Sequence, residues 1–230
     1  PGSVGAAPIQ NIGAYGVEIA QFIESVSVID ANQTARDIAA SDCAFAYRDS
    51  VFKARLAASD QALIILGVTF RLPLRANVNL AYAELAEAFD LDAAKAGKQR
   101  RHAPAPLQVA AAVMAIRRKK LPDPGEYANA GSFFKNPVID ASTAQRLQVR
   151  SVTPYRFAQG YKVSAAQLMD LAGWKGARSG DVGCWPKQPL VLVNYGQASA
   201  EHLLGFAQEI QRSIAERFEI QLELEPSIVS

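Results

Sequence analysis

The sequence predicts a fold that combines helices with a mixed or antiparallel sheet, and two patterns support this. Stretches rich in β-branched and aromatic residues fill residues 17–72, and segments with helical spacing of apolar residues follow from residue 81 onward. Half of the 230 residues are hydrophobic and a fifth are charged, a composition typical of a globular protein with a substantial core.

The predicted strands dominate the first part of the chain. The segments VEIAQFIESVSVID, FAYRDSVFK and ALIILGVTFRL, at residues 17–30, 45–53 and 62–72, are each bounded by turn-forming residues. Later, LVLVNY at 190–195 predicts a short buried strand. The alternating segment IQLELEP at 220–226 predicts a final strand.

Four segments predict helices. Residues 81–91 and 107–120 have helical composition, and the second segment ends in basic residues that offset the helix dipole. Ser164 is a suitable N-cap for a helix over 165–174. Within 198–220, apolar residues recur every three or four positions, which predicts a long amphipathic helix packed on a sheet.

The stretch 97–106 contains several charges and two prolines, which favours a domain boundary there. We therefore predict a first domain over residues 1–105 and a second over residues 106–230. The chain begins at Pro1 without an initiator methionine, so we expect its true start to lie upstream.

Composition excludes several classes of function. The formal net charge of +2 is too small to predict nucleic acid or an acidic membrane as a partner. Cys43 and Cys184 lie far apart, and His102 and His202 are too scattered for a zinc site, so we predict no metal and no disulfide framework. The longest apolar stretch, residues 62–70, is far shorter than the ~20 residues of a membrane-spanning helix. We predict a cytoplasmic monomer that binds a small molecule.

Six segments carry a more specific signal, and their content and order resemble the UDP-N-acetylenolpyruvoylglucosamine reductase family from Pro1 to about Glu225. AGSFFKNP and YRDSVFK are the most specific parts of the resemblance. The segments are PIQNIGAYGVEI at 8–19, YRDSVFK at 47–53, KLPDP at 120–124, NAGSFFKNPVI at 129–139, LAGWKG at 171–176 and KQPLVLVN at 187–194.

The resemblance implies an α+β fold and a role in peptidoglycan precursor synthesis. It implies part of an FAD-binding domain of the vanillyl-alcohol-oxidase type, lacking its N-terminal portion, followed by a smaller α+β domain that binds a UDP-sugar. The implied reaction reduces UDP-N-acetylglucosamine enolpyruvate to UDP-N-acetylmuramate, with NADPH reducing bound FAD and the flavin supplying hydride. No Rossmann or P-loop fingerprint occurs in the sequence.

The resemblance also implies three catalytic residues. Ser132 matches the family's proton donor, and a hydroxyl can act so only where its surroundings stabilise the alkoxide that remains. Arg48 matches the arginine that stabilises negative charge on the substrate carboxylate, a task that suits a planar guanidinium. Glu225 matches the acidic partner near the enolate. The simpler interpretations are a Gly-Ser turn at Ser132 and an arginine paired with Asp42 or Asp49 at Arg48.

The acidic assignment has two rivals. If the LEP segment sets the alignment instead, Ser227 takes the acidic position and the carboxylate is lost. Glu223 would share a face with Glu225 in a strand, so it is a second candidate.

The remaining predicted site residues bind the cofactor and substrate. For substrate, the resemblance implies contacts to the UDP-sugar, although a lysine in a basic run is ordinarily a solvated charge. For FAD, it implies a small-residue segment whose backbone approaches the flavin, and composition alone also fits a run of tight turns. The substrate residues are Tyr82, Lys120, Asn136 and Lys175, and the FAD residues are Gly5, Ala6, Ala7, Gln10, Asn11, Gly13, Ala14, Tyr15 and Gly16.

One rival function belongs to a different class, a redox-inactive module that only binds a UDP-sugar. A bound flavin is yellow, so colour distinguishes the two. Cys184 and Trp185 stand where the family resemblance leads us to expect a Val-His pair, and the sequence gives them no role.

Overall fold

The structure is a computed structural model that describes residues 2–57, 63–75, 78–90, 104–158 and 160–228. The chain forms two compact units, Pro1–Ile116 and Arg117–Ser230. Every strand pair in the described residues is antiparallel, and the fold is α+β. The domain limit after residue 105 stays a prediction, and residues 97–103 of the predicted boundary lie outside the described residues.

The first unit is built around a three-stranded sheet. Strand β3 lies at its centre, between β4 and β5, and β1 pairs with β2 in a separate hairpin. Val26 and Val28 of β3 are fully buried with Phe52 and Cys43, which gives this unit its own core. The elements are β1 (Gly13–Ala14), β2 (Val17–Glu18), β3 (Ile23–Ile29), β4 (Ala35–Ala39), α1 (Val51–Ala57), β5 (Ile64–Phe70) and α2 (Ala83–Glu87).

The prediction of a strand over 45–53 is wrong. Ala46 and Asp49 close a tight turn through two backbone hydrogen bonds, and α1 begins directly afterwards. The Ser50 hydroxyl accepts hydrogen bonds from the backbone N–H groups of Phe52 and Lys53, at 3.2 and 3.3 Å. These N–H groups have no partner within a first helical turn, so a serine before them favours a helix over a strand.

The first two predicted helices, over 81–91 and 107–120, are confirmed, but their ends differ from the prediction. Helix α2 is shorter than the predicted 81–91, and the left-handed Asp90, with φ of 53°, follows its end. Residue 91 lies outside the described residues. Helix α3 (Pro106–Lys120) begins at a proline, which is favoured at a first helical position, and its last four residues belong to the second unit.

In the part of the second unit that the structure describes, there are two sheets and three helices besides the end of α3. Four strands form a sheet in the order β10, β11, β12 and β6, and three form a sheet in the order β7, β9 and β8. The elements are β6 (Ala128–Ser132), β7 (Val138–Ile139), α4 (Ala141–Val149), β8 (Tyr155–Phe157), β9 (Gly160–Lys162), α5 (Ala165–Leu171), β10 (Arg178–Ser179), β11 (Val182–Trp185), β12 (Gln188–Asn194) and α6 (Ala200–Phe218).

Helices α5 and α6 cover this four-stranded sheet, as the sequence predicts for the long amphipathic helix. Ser164 and Ser199 cap them by accepting hydrogen bonds from backbone N–H groups. Ile210 and Ile214 of α6 are fully buried against the core that includes Leu192 of β12. Each such side chain contributes roughly 1.5–3 kcal/mol by leaving water. The core therefore fixes β12 and the strands beside it.

The final predicted strand is reduced to a single bridge. Residues 220–223 alternate in burial, since Ile220 and Leu222 are buried whereas Gln221 and Glu223 are exposed, and residues 224–226 are all half-buried. Only Leu224 forms a ladder pair, with Phe134. The prediction of a full strand is thus wrong, and Pro226, which has no N–H to donate, follows soon after the bridge.

The described residues lack two kinds of feature, a membrane-spanning helix and a metal-binding cluster. In these residues, no helix has the length and apolar character needed to span a bilayer. The same part of the chain has no cluster of three or more His, Cys, Asp or Glu side chains placed to bind a metal ion.

Candidate active site

Ser132 ends strand β6 beside β12, at an irregular point of the ladder. It pairs with Val191, and the register shifts between Val191 and Val193. Gly131 before it has φ of 74°, a left-handed conformation that favours glycine, and its N–H donates to the Asn129 side chain at 3.0 Å. Such irregularities change the direction of a side chain at the edge of a sheet. Ser132 is held half-buried at this bend.

The C-terminal segment lies along the residues that follow Ser132. The Phe133 carbonyl accepts a hydrogen bond from the Glu225 N–H at 3.0 Å, and the Glu223 carbonyl accepts one from the Lys135 N–H at 2.9 Å. This antiparallel register brings the Glu225 backbone next to Ser132. The predicted acidic partner is thus hydrogen-bonded through its backbone to Phe133, the residue directly after the predicted proton donor.

The two acidic candidates differ in their surroundings. Glu223 forms an ion pair with Lys135, in which its Oε2 lies 3.0 Å from Nζ and its side chain is 74% exposed. Glu225 is half-buried. Leu222 and Leu224 pack on the core, so the two carboxylates lie on the other side of the extended segment. Only Glu225 lies opposite Phe133, the neighbour of Ser132.

Arg48 occupies the tip of the tight turn between Ala46 and Asp49. Its φ is 55°, which a non-glycine residue adopts only at a cost of ~1–3 kcal/mol, and such residues cluster at functional sites. Its Nη2 donates to the Gly13 carbonyl at 2.8 Å, and its guanidinium carbon lies 5.1 Å from the centre of the Tyr47 ring. The turn therefore directs Arg48 toward the glycine-rich segment.

The glycine-rich segment folds into the β1–β2 hairpin, with Tyr15 and Gly16 at its turn. Both have positive φ, 53° and 79°, as a type I′ turn requires. A Cβ on Gly13 would lie 2.7 Å from the Val17 carbonyl oxygen, so only glycine fits there. Part of the segment thus fits the simpler interpretation of tight turns.

Asn11 ties this segment to the Arg48 turn. Only 1% of Asn11 is exposed. Its Nδ2 donates to Glu18 Oε2 at 3.0 Å and to the Ala46 carbonyl at 3.1 Å, and its Oδ1 accepts from the Ala20 N–H at 3.0 Å. The hydrogen-bonding groups of the Asn11 side chain are therefore used within the protein, and they connect the glycine-rich segment to the Arg48 turn.

Lysine 53 adds a second connection between the same two segments. Lys53 Nζ lies 3.5 Å from Gln10 Oε1 and 3.3 Å from the Arg48 carbonyl oxygen. Sequence reasoning assigned no role to Lys53 or Glu18. Lys53 stands inside the YRDSVFK motif, so the motif itself was the signal, whereas Glu18 has none.

Tyr82 also meets the glycine-rich hairpin. It precedes α2, and its ring lies 4.9 Å from that of Tyr15 in an edge-to-face arrangement. Asn79 donates to the Gly16 carbonyl at 3.0 Å, which fixes the segment that carries Tyr82. The sequence did not single out Asn79. Tyr82 is 42% exposed, which leaves its side chain accessible to a ligand.

The predicted substrate residues of the second unit lie in three settings. Lys120 is half-buried at the end of α3. Asn136 accepts a hydrogen bond from the Ala165 N–H at 2.9 Å, next to the start of α5. Lys175 pairs with Asp170 at 3.1 Å on the surface, where both side chains are about half exposed, which fits a solvated charge.

The two cysteines are unsuited to nucleophilic chemistry. Both are free and buried. Burial raises the pKa of Cys184 to about 12, and burial followed by the Asp42 charge raises that of Cys43 to about 11. Both thiols are protonated at neutral pH, and the thiolate is the reactive form.

Together these features define a class, a two-unit α+β protein that sets a serine hydroxyl beside an acidic segment in one unit and an arginine against a glycine-rich hairpin in the other. The family model for the UDP-N-acetylenolpyruvoylglucosamine reductase C-terminal domain matches residues 123–229, which include Ser132 and Glu225.

Three named relatives extend the match over the whole chain. UDP-N-acetylenolpyruvoylglucosamine reductase of Pseudomonas syringae pv. syringae is 45% identical over 99% of this chain and 65% of its own length. That of Xanthomonas euvesicatoria pv. vesicatoria is 45% identical over 100% of this chain and 64% of its own length. That of Ralstonia nicotianae is 46% identical over 100% and 65%. The chain belongs to the UDP-N-acetylenolpyruvoylglucosamine reductase family.

A solved structure supports the fold. The crystal structure of UDP-N-acetylenolpyruvylglucosamine reductase from Thermus caldophilus superposes with a TM-score of 0.60 at 24% identity, over 99% of this chain and 60% of that one. At this identity the likeness concerns the fold alone. The chain spans 65% of the length of the Pseudomonas relative.

Proposed function

We propose that the chain takes part in reducing UDP-N-acetylglucosamine enolpyruvate to UDP-N-acetylmuramate, in peptidoglycan precursor synthesis. The observation that carries this proposal is the hydrogen bond of 3.0 Å from the Glu225 N–H to the carbonyl of Phe133, the residue directly after Ser132. The names of the relatives agree with it. We propose the cytoplasm as its location, since Cys43 and Cys184 are both free thiols.

The reaction adds one hydride and one proton across the carbon-carbon double bond of the enolpyruvyl group. Bound FAD, once reduced by NADPH, would supply the hydride. The carbon that does not receive the hydride becomes carbanionic, and Ser132 Oγ–H donates the proton to it. Glu225 lies beside Ser132 and works near the same carbon. General acid catalysis of this kind contributes typically 10²–10⁴-fold to a rate.

Arg48 is proposed to stabilise the negative charge that spreads onto the substrate carboxylate. A guanidinium stays protonated and offers parallel N–H groups to two oxygens. The Gly13 carbonyl and the tight turn hold the Arg48 side chain in place before substrate binds. A group fixed in advance loses little reorganisation energy in the transition state.

For the UDP-sugar, we propose contacts from Lys120, Asn136 and Lys175 of the second unit and from Tyr82 of the first. Lysine ammonium groups bind diphosphate as point charges. Tyr82 is exposed and packs against Tyr15 of the glycine-rich hairpin, so its ring is accessible to a nucleotide.

For FAD, we propose contacts from the glycine-rich segment of a domain of the vanillyl-alcohol-oxidase type. Ala6, Ala14 and Gly16 are exposed and have small side chains or none, which lets a flavin approach their backbone closely. Gln10 and Asn11 use their side chains within the protein. The residues present therefore fit a flavin through backbone contacts.

A second candidate function is UDP-sugar binding without redox chemistry. The specific observation in its favour is that Lys120, Asn136 and Lys175 all belong to the second unit, whereas the residues proposed for FAD belong to the first. Binding by the second unit would then not require a flavin.

The test is conversion of substrate. The chain is incubated with FAD, NADPH and UDP-N-acetylglucosamine enolpyruvate, and the product is analysed by mass spectrometry. The proposal predicts a product two hydrogen atoms heavier, formed as NADPH is consumed. Binding of the unreacted substrate by calorimetry, with no such product, would favour the second candidate.

A further inference from the structure

Trp185 forms an unexpected link to a predicted substrate residue. Its indole Nε1–H donates to the Lys120 carbonyl at 3.1 Å, across a sequence separation of 65 residues. Lys120 is the last residue of α3, where carbonyl groups have no partner inside the helix. The indole therefore provides a hydrogen-bond donor for the C-terminal end of α3, which carries Lys120.

A row of aromatic rings in tilted and edge-to-face contact, Trp185, Tyr127 and Tyr195, holds the indole in this position. The Trp185 ring lies 5.3 Å from that of Tyr127, which in turn lies 5.7 Å from that of Tyr195. The Arg178 guanidinium carbon lies 4.3 Å above the Tyr195 ring. Aromatic pairs of this kind add ~0.5–1.5 kcal/mol beyond the area they bury. The row fixes the indole from one side.

The same row is connected to Ser132. Tyr127 immediately precedes β6, which ends at Ser132, and Trp185 ends β11. Strands β6 and β11 both pair with β12. The hydrogen bond from Trp185 thus ties the Lys120 end of α3 to the sheet that carries Ser132.

We propose that Trp185 is a positioning residue. It fixes Lys120 relative to Ser132, so that one substrate molecule can place its diphosphate at Lys120 and its reacting carbon at Ser132 at the same time. The inference rests on the proposed function, because it assumes that Lys120 binds the diphosphate. Trp185 acts through the Lys120 backbone and touches no substrate itself.

The first experiment is a double-mutant cycle with UDP as the probe, measured by isothermal titration calorimetry on the full chain. Trp185→Phe keeps a ring for Tyr127 but removes the N–H, and we expect UDP to bind about 3- to 10-fold more weakly. In a Lys120→Met background, Trp185→Phe should change the affinity by less than about twofold. A general loss of structure would weaken both backgrounds alike and overturn the proposal.

The chain offers a matched control. Trp174 also donates its indole N–H, to the Ser213 hydroxyl at 3.0 Å, and its ring packs on Phe206 instead of Tyr127. Trp174→Phe therefore removes the same kind of hydrogen bond from the same unit. It should leave UDP affinity unchanged, and an equal loss in both variants contradicts a specific role for Trp185.

A second measurement needs no variant that might unfold. The chain has two tryptophans, so a ¹H–¹⁵N spectrum contains two indole signals. Added UDP should shift the Trp185 signal more than that of Trp174. UDP binding that shifts neither signal overturns the positioning role alone. If the wild-type chain binds no UDP, both the proposed function and this inference are contradicted.

Discussion

Arg48 donates a hydrogen bond from Nη2 to the carbonyl oxygen of Gly13, at 2.8 Å. The bond links the tip of the turn between Ala46 and Asp49 to strand β1 of the glycine-rich hairpin. Arg48 itself has a φ of 55°. Asn11, buried between the two segments, reinforces the link through the Ala46 carbonyl. The protein thus maintains a costly backbone conformation at the residue proposed to bind the substrate carboxylate.

Arg48→Lys keeps the charge and loses the planar fork. We expect turnover of the enolpyruvyl substrate to fall by roughly 10- to 100-fold, because a bidentate contact to the carboxylate becomes a single one. Steady-state kinetics of the flavin-loaded enzyme measure this. Arg55→Lys, a change to another arginine of the first unit, serves as the control and should have little effect. Unchanged turnover in Arg48→Lys rules out the assignment.

Ser132→Ala removes the proposed proton donor and nothing else from the half-buried bend. Turnover should fall by roughly 10²–10⁴-fold, whereas NADPH should still reduce the flavin at the wild-type rate. Stopped-flow absorbance separates the two half-reactions. Ser142→Ala, which changes an exposed hydroxyl of α4, is the control. An equal loss in both half-reactions of Ser132→Ala contradicts its role as a proton donor.

The two glutamates of the final segment make a matched pair. Glu225→Gln should lower turnover strongly, because the carboxylate beside Ser132 is lost. Glu223→Gln should keep turnover and change the free energy of unfolding by less than about 1 kcal/mol, because its ion pair with Lys135 is exposed. Steady-state kinetics and urea unfolding test both. The reverse order of effects, or no effect from either, refutes the assignment of Glu225.

Asn11→Ala should destabilise the first unit. The change removes the three hydrogen bonds of a buried side chain, so we expect the free energy of unfolding to fall by about 2–4 kcal/mol. Urea unfolding followed by circular dichroism measures it. Asn32→Ala, at an exposed position, is the control. A difference between the two variants below about 1 kcal/mol would show that Asn11 has no special structural role.

The buried thiol of Cys184 predicts a pH dependence of stability. Its pKa is raised from the ordinary 9.0 to about 12 in the folded chain, so above pH 9 the unfolded chain releases this proton first. The stability contribution is present in full below pH 9 and is lost as the pH rises from 9 toward 12. Cys184→Ala should therefore show a smaller loss between pH 8 and 11 than the wild type. Identical pH slopes in urea unfolding contradict the prediction.

The elements that the sequence predicted well are those whose signal is local. Helix α6 has both a capping serine and a long apolar stripe, and its prediction is confirmed. The prediction of a strand over residues 45–53 is wrong for a local reason. The aromatic and β-branched residues of this segment favour a strand, but the Ser50 cap favours a helix and prevails. The cap was visible in the sequence but was outweighed by the aromatic residues.

The candidate site divides in the same way. The family resemblance pointed to Ser132 and Glu225, and in the structure the Glu225 N–H donates to the carbonyl of Phe133, which follows Ser132. The link from Trp185 to Lys120 joins residues far apart in sequence, and neither position predicts the other. Contacts of this kind depend on tertiary packing, so no local pattern in the sequence could have indicated them.

The most direct test of the central claim is an absorbance spectrum of the purified chain with FAD, recorded anaerobically as NADPH and then UDP-N-acetylglucosamine enolpyruvate are added. The account predicts a retained flavin whose colour bleaches with NADPH and returns with the enolpyruvyl substrate. A chain that retains no flavin, or a bleached flavin whose colour the substrate does not restore, would contradict it.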